Sequence, residues 1–171
     1  MTDAPDFIEP FEAWRAWSVV RRDDKYSLGS IVQRTIWPAG EPLAAQCLRH
    51  RLSGRLFRGL RHDAPEADCL CGIYGAGLDG VSQYVADAPC RGFARVLGRV
   101  HLWGTVVECE RGFRASFAYP AAIYVPADAG DPWRVGWDEV AFGLSRYGVP
   151  IEPLASRAAD AARHLAARRA A

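Results

Sequence analysis

Two cysteines separated by one residue, Cys69 and Cys71, are the strongest chemical feature of the sequence. Residues two apart in an extended segment project to the same side, so both sulfurs can face one metal ion. Gly72 follows them directly and leaves the backbone free to turn around such a site. The spacing therefore predicts a metal-binding loop at this point of the chain.

Two upstream residues complete a plausible ligand set. His62 lies in the loop before Cys69, and Cys47 lies further back along the chain. Together with Cys71 they form a Cys₃His set, which is typical of tetrahedral Zn²⁺. The sequence leaves two substitutions open, because His50 could replace His62 and Cys90 could replace Cys47. The competing interpretation is that these cysteines are small buried core residues.

The beginning of the chain bears on the redox state of the thiols. Residues 1–12 contain four acidic residues and no basic one, whereas a secretory signal begins with basic residues and continues with an apolar run. The sequence therefore predicts a cytoplasmic protein with reduced cysteines. No apolar run reaches the length that a membrane span requires, so no membrane contact is predicted.

Glu66 offers an alternative, catalytic interpretation of the same loop. If the metal had three protein ligands and a bound water, this carboxylate would be close enough in sequence to act as the base. The protein would then be a metal-dependent hydrolase. With four protein ligands the same metal would be structural.

A second candidate is a basic segment at about residues 49–61. Arginines dominate the chain's positive charge, with 21 Lys and Arg in total and a net charge of only +1. Between Pro42 and His62, however, the charged residues are all arginines, and leucines alternate with them at helical spacing. This segment predicts binding to an acidic protein surface or to nucleic acid. The arginines are Arg49, Arg51, Arg55, Arg58 and Arg61.

The stretch Gly72-Ile-Tyr74, followed by Tyr84-Val-Ala86, resembles the two sequence markers of GIY-YIG nucleases. The resemblance implies that Tyr74, Tyr84 and an arginine on a helix, Arg95, are catalytic. It also implies that Glu108 or Glu110 holds the metal. The second marker departs from the family pattern because it ends in Ala86 instead of glycine. The resemblance thus adds a further alternative function, a nuclease that uses residues 62–95.

Other motifs are incomplete. Gly75-Ala-Gly77-Leu-Asp-Gly80 matches a dinucleotide-binding fingerprint in its glycines, but no acidic residue follows about twenty residues later. Pro89-Cys90 lacks the second cysteine that a zinc deaminase requires. Neither chemistry is predicted.

Alternating and aromatic-rich runs predict the elements that would position these residues. We expect a first strand at 14–21, a turn at 22–25, a second strand at 30–37 and a long hairpin at 96–119. Asp79 could cap a short helix that ends near Asp87. Two helices are expected at the C-terminus, one capped by Asp138 and ended by Gly148, and one over 154–169.

These elements predict an α+β protein with a β-rich core, a half-barrel or barrel, and two C-terminal helices. Residues 1–11 would be a flexible acidic tail, and 12–171 a single domain with a basic insertion at 49–61. Exposed strand edges would favour a homodimer. The function that best fits the sequence is a binding or adaptor module with a structural zinc site and an arginine-rich patch for an acidic partner.

Overall fold

The computed structural model describes residues 9–33, 35–47, 62–81, 94–126 and 136–154. These residues form one seven-stranded sheet, one α-helix whose whole length is described, and a helical stretch at 78–81. The strands are β1 (Phe11–Arg22), β2 (Lys25–Ser30), β3 (Leu43–Ala44), β4 (Ile73–Ala76), β5 (Ala94–Cys109), β6 (Gly112–Val125) and β7 (Ile151–Pro153). The helix α1 spans Trp137–Leu144 and continues into a 3₁₀ turn, Ser145–Tyr147. The β-rich core predicted from the sequence is confirmed.

The hairpin β5–β6 is the centre of the sheet and is longer than the predicted hairpin at 96–119. Its tight turn pairs Cys109 with Gly112, whose φ of 143° lies in the region that favours glycine. A side chain at Gly112 would also overlap the carbonyl oxygen of Gly75 in β4. The sequence correctly indicated the hairpin.

Strand pairing joins four strands into a ring. β5 pairs with β1 along one edge and with β6 along the other. β4 pairs with β6 over its whole length and with β1 through Trp14 and Ala76. The pairing order β1–β5–β6–β4 therefore returns to β1, and all four contacts are antiparallel. β3 and β7 pair with the same edge of β6 as β4 does, β3 in antiparallel and β7 in parallel orientation.

The interior of this ring is tightly packed. Apolar side chains from all four strands and from α1 are almost inaccessible to solvent, among them Trp17, Val100, Leu102, Ile123 and Val140. Gly98 allows the neighbouring strands to approach β5 closely. A Cβ at this position would overlap the carbonyl oxygen of Ala122 and lie 2.7 Å from the Trp17 ring. The narrow spacing leaves no room for a side chain at this position of β5.

The predicted second strand at 30–37 is wrong. β2 occupies Lys25–Ser30, and among the described residues of the remaining predicted stretch only Ile36 makes a single bridge, to Gly29. The reason lies in the preceding turn, where Asp23 and Asp24 have φ values of 47° and 57°. A two-residue turn with two positive φ angles connects strands without a gap, so pairing starts at once at Lys25.

The C-terminal region agrees in part with the expected two helices. α1 begins after Gly136, so Asp138 lies in the first helical turn and is not the cap. Gly148 ends the 3₁₀ turn with a φ of 68°, as its position predicted. The sequence did not indicate β7, and of the second helix only residue 154 is described.

Three further predictions fall wholly or largely outside the described residues. Of the predicted tail at 1–11, Phe11 already belongs to β1 and residues 1–8 are not described. Residues 78–81 are helical, and the remainder of that predicted helix is not described. The basic segment 49–61 also lies outside the described residues. In the described part of the chain, no helix is long and apolar enough to cross a membrane.

The packing at Gly98 makes a prediction about stability. Gly98→Ala should lower the free energy of unfolding by at least about 2 kcal/mol, because the obstacle is backbone and cannot rotate away. For a chain of this size, that corresponds to a melting temperature about 4–8 °C lower. Gly77→Ala is the matched control, since a Cβ there meets no atom within 4 Å. Equal melting temperatures for the two variants would contradict the ring geometry.

Candidate metal centre

The structure brings together the four side chains that the sequence singled out as metal ligands. One ligand atom from each of Cys47, His62, Cys69 and Cys71 lies within 4.8 Å of every other. Cys47 and Cys71 are buried, and the other two are half-buried. The cluster is therefore formed by the fold and is screened from solvent on part of its surface.

One edge of β6 explains why these distant residues meet. β3 pairs with Phe117 and Ala118, and Ala45 extends this contact by donating to the carbonyl of Ser116 at 2.7 Å. The next stretch of the same edge, 112–115, is occupied by β4. The end of β3 and the start of β4 therefore meet end to end along this edge. Cys47 follows the one and Cys71 precedes the other.

One spacing between donor atoms matches tetrahedral zinc coordination. The sulfurs of Cys47 and Cys69 are 3.7 Å apart, and His62 Nε2 is 3.1 Å from the sulfur of Cys47. Zinc–sulfur bonds of about 2.3 Å at tetrahedral angles place two sulfurs about 3.7 Å apart. A disulfide would need about 2.05 Å, and the described cysteines are indeed free thiols.

Glu66 lies on the other side of the His62 ring. Its Oε2 is 3.7 Å from His62 Nδ1, whereas Nε2 faces the sulfur of Cys47. Metal-binding histidines commonly direct their second nitrogen toward a carboxylate, which orients the ring and increases its basicity. Glu66 therefore lies beside a candidate ligand, on the side of the ring away from the sulfur of Cys47.

Arg114 holds the loop that contains the cysteine pair, and no local pattern of the sequence indicated this role. This buried β6 side chain donates from Nη1 to the carbonyl oxygens of Cys71 at 2.9 Å, Glu66 at 3.3 Å and Cys69. Its Nη2 donates to the carbonyl of Ala67 at 3.4 Å. One rigid guanidinium thus binds successive carbonyls of a segment that has little regular structure of its own.

The thiols around Arg114 experience two different environments. Arg114 Nε donates to the sulfur of Cys109 at 3.0 Å, and this hydrogen bond raises the pKa of Arg114 above its ordinary value. Burial raises the pKa of Cys71, although a backbone hydrogen bond from Glu66 opposes that change. Without a metal, Cys71 therefore retains its proton at neutral pH, and an incoming metal ion must displace it.

Gly72 has the role that the sequence predicted for it. Its φ is 118°, a conformation that favours glycine, and a Cβ would lie 3.0 Å from both Pro65 and Arg114. The chain can therefore turn from the cysteine pair into β4 while remaining packed against β6.

The arrangement implied by the GIY-YIG resemblance is wrong. Arg95 is buried in β5, whereas the resemblance requires this arginine on a helix. Tyr74 in β4 donates its hydroxyl to the carbonyl of Leu70 at 2.8 Å, so it supports the cysteine-containing loop. Glu108 belongs to β5, and Glu110 lies in the turn of the hairpin. Tyr84 is outside the described residues.

Several other predicted site residues also lie outside the described ranges. These include the alternative ligands His50 and Cys90. They also include all five arginines of the basic segment, Arg49, Arg51, Arg55, Arg58 and Arg61.

Comparison with protein families, curated proteins and solved structures found no match to this chain.

Replacing Arg114 tests its role in holding the loop. Arg114→Met should lower the free energy of unfolding by about 3 kcal/mol or more, because several carbonyl oxygens lose their donor. Arg99→Met is the control, since Arg99 makes a partly exposed ion pair with Glu12 and should cost less than about 1 kcal/mol. Urea unfolding measures both values. A similar decrease in the free energy of unfolding for the two variants would show that the carbonyl contacts of Arg114 contribute little to stability.

Proposed function

We propose that the protein is a binding module whose irregular segments are held on the sheet by one structural Zn²⁺. Cys47, His62, Cys69 and Cys71 would be the ligands. The convergence of these four donor atoms within 4.8 Å is the observation that supports the proposal. Three thiolates and one imidazole favour zinc over the hard cations Mg²⁺ and Ca²⁺, which prefer oxygen ligands.

The number of protein ligands favours a structural over a catalytic ion. Catalytic zinc sites usually have three protein ligands and keep one position for water or substrate, whereas structural sites have four. Here four side chains converge, and the nearby carboxylate of Glu66 faces a ring nitrogen of His62. The geometry thus supports a closed site, and no observation favours the hydrolase alternative.

The elements around the site are short and would benefit from a metal cross-link. β3 contains two residues and β4 contains four, and the loop between His62 and Ile73 has only turns and bends. Ala76 in β4 also makes the contact with β1 that closes the ring of strands. A metal that fixes both Cys47 and Cys71 would therefore stabilise the ring as well as the loop.

Metal analysis and chelation test the zinc assignment. Purified protein should contain one zinc per chain, and removal with a strong chelator should lower the melting temperature by 10 °C or more, on the order expected when a structural metal is lost. Adding Zn²⁺ back should restore the original value. Protein that contains no zinc, and does not bind it when supplied, would refute the proposal.

A pair of cysteine variants separates metal binding from general loss of a thiol. Cys71→Ser should abolish stoichiometric zinc binding, because it removes one of the four converging donors. Cys109→Ser should retain one zinc per chain, since Cys109 instead accepts a hydrogen bond from Arg114. If both variants lost zinc equally, the assigned ligand set would be wrong.

We also propose that residues 49–61 contact an acidic partner, a protein surface or nucleic acid. The structural support is that the flanking residues Cys47 and His62 are adjacent, with the sulfur and Nε2 3.1 Å apart. Both ends of the arginine-rich segment would thus be fixed at the metal site. Chain ends held together in this way reduce the entropy that the segment loses on binding.

Salt-dependent binding to a DNA duplex tests this partner. Changing Arg51, Arg55 and Arg58 to Ala should weaken binding and reduce the slope of log K against log salt by as much as about 2.7, because each lost phosphate contact contributes about 0.9. A variant with Arg22 and Arg146 changed to Ala, both exposed elsewhere, is the control. An unchanged slope in the triple variant would remove nucleic acid as the partner.

A further inference from the structure

A cavity of about 780 Å³ lies beside the ring of strands and is separate from the metal ligands. Its walls come from β1, from the chain that follows β2, from β3 and from β4. This volume lies within the range of binding sites for small organic molecules, about 300–1,000 Å³.

The cavity opens where the sheet divides. β2 pairs with β1 from Trp17 onward, and β4 pairs with the same edge only at Trp14. Among the described strands, none pairs with that edge at the intervening residues Arg15 and Ala16, and both line the cavity. The opening thus follows from the register of the strands.

Arg15 is held in a fixed position at this gap. Its guanidinium carbon lies 5.0 Å from the centre of the Trp37 ring, and Nη1 donates to the carbonyl of Tyr74. Its Nη2 lies 3.5 Å from Ser30 Oγ, which also accepts a hydrogen bond from Trp37 Nε1 at 3.2 Å. These contacts fix the planar group and leave other N–H donors of the guanidinium for a further partner.

The charge of Arg15 is not balanced by the described walls of the cavity. Burial lowers the pKa of Arg15 to about 10, so the side chain remains charged at neutral pH. The described lining residues include one other charged side chain, Arg111, and no carboxylate. The Arg15 side chain is half-buried, and a partly desolvated cation is stabilised by a neighbouring anion. The cavity therefore favours an anion next to Arg15.

The remaining lining favours an apolar body. Trp14, Ile73 and Val81 contribute to the walls, and each is buried. Three of the large apolar side chains that the described structure exposes, Val32, Leu70 and Tyr74, lie at the same cavity. Exposed apolar residues grouped around an opening are typical of a ligand-binding surface.

We propose that this cavity binds a small molecule with a carboxylate head and an apolar body. The carboxylate would pair with Arg15, whose planar fork matches its two oxygens. Arg111 also lines the cavity but is exposed to solvent, so the charge preference rests on Arg15. One fixed guanidinium suits a monoanion better than a phosphate, which carries more charge. The ligand site uses none of the four metal ligands, so it does not depend on the zinc assignment.

Titration calorimetry with the protein as purified tests the class of ligand. Decanoate should bind at least tenfold more tightly than 1-decanol, which has the same chain but no charge. Decanoate should also bind more tightly than decyl phosphate. Equal affinities for decanoate and decanol, tighter binding of decyl phosphate, or no binding of decanoate would each overturn the proposal.

Two sets of variants locate the carboxylate. Arg15→Met should remove the preference for decanoate over decanol, whereas Arg22→Met, an exposed change outside the cavity on the same strand, should retain it.

Because Arg15 contacts the core, a second pair changes only the exposed rim residue Val32. At low salt, Val32→Glu should bind decanoate at least threefold more weakly than Val32→Gln does, with decanol unaffected. Equal decanoate affinities in that pair, or an Arg15→Met variant that folds and retains the preference, would contradict the proposed position.

Discussion

Backbone hydrogen bonding along both edges of β6 determines where the candidate metal site can form. One edge is fully occupied by β5, so every other partner must share the opposite edge. β4, β3 and β7 pair with successive stretches of this edge. Where two stretches adjoin, one paired strand ends near the start of another. Cys47 and Cys71 are neighbours because they flank two of these stretches. The metal site is thus a result of strand order and does not require a dedicated motif.

The charge of the proposed site explains the position of Arg114. A zinc ion with three thiolates and a neutral imidazole carries a net charge of about −1. Arg114 lies buried beside it, donating to the carbonyls of Cys69 and Cys71. Its positive charge would offset the net negative charge of a bound zinc centre, while its hydrogen bonds hold the carbonyls of the loop. Electrostatic compensation and loop ordering are therefore provided by one side chain.

The sequence revealed the features that depend on local spacing. Alternation along residues 96–119 predicted the central hairpin, and the pair Cys69 and Cys71 identified the loop. Long-range pairing was not predictable, because a four-residue strand such as β4 carries almost no pattern. The same is true of Arg114, whose partners are carbonyl oxygens of a distant loop, and an arginine in a strand is normally a surface residue. The cavity at Arg15 likewise depends on where two pairings stop.

The closeness of Cys47 and His62 has a consequence for how the chain can vary. Because these two residues are adjacent at the candidate metal centre, the segment between them begins and ends at one point of the fold. Closing a longer loop between fixed ends costs little, about 0.6 kcal/mol for each doubling of its length. Insertions, deletions or a grafted recognition sequence at residues 48–61 should therefore be tolerated by the sheet. This position is a natural place to attach new binding specificity to an unchanged scaffold.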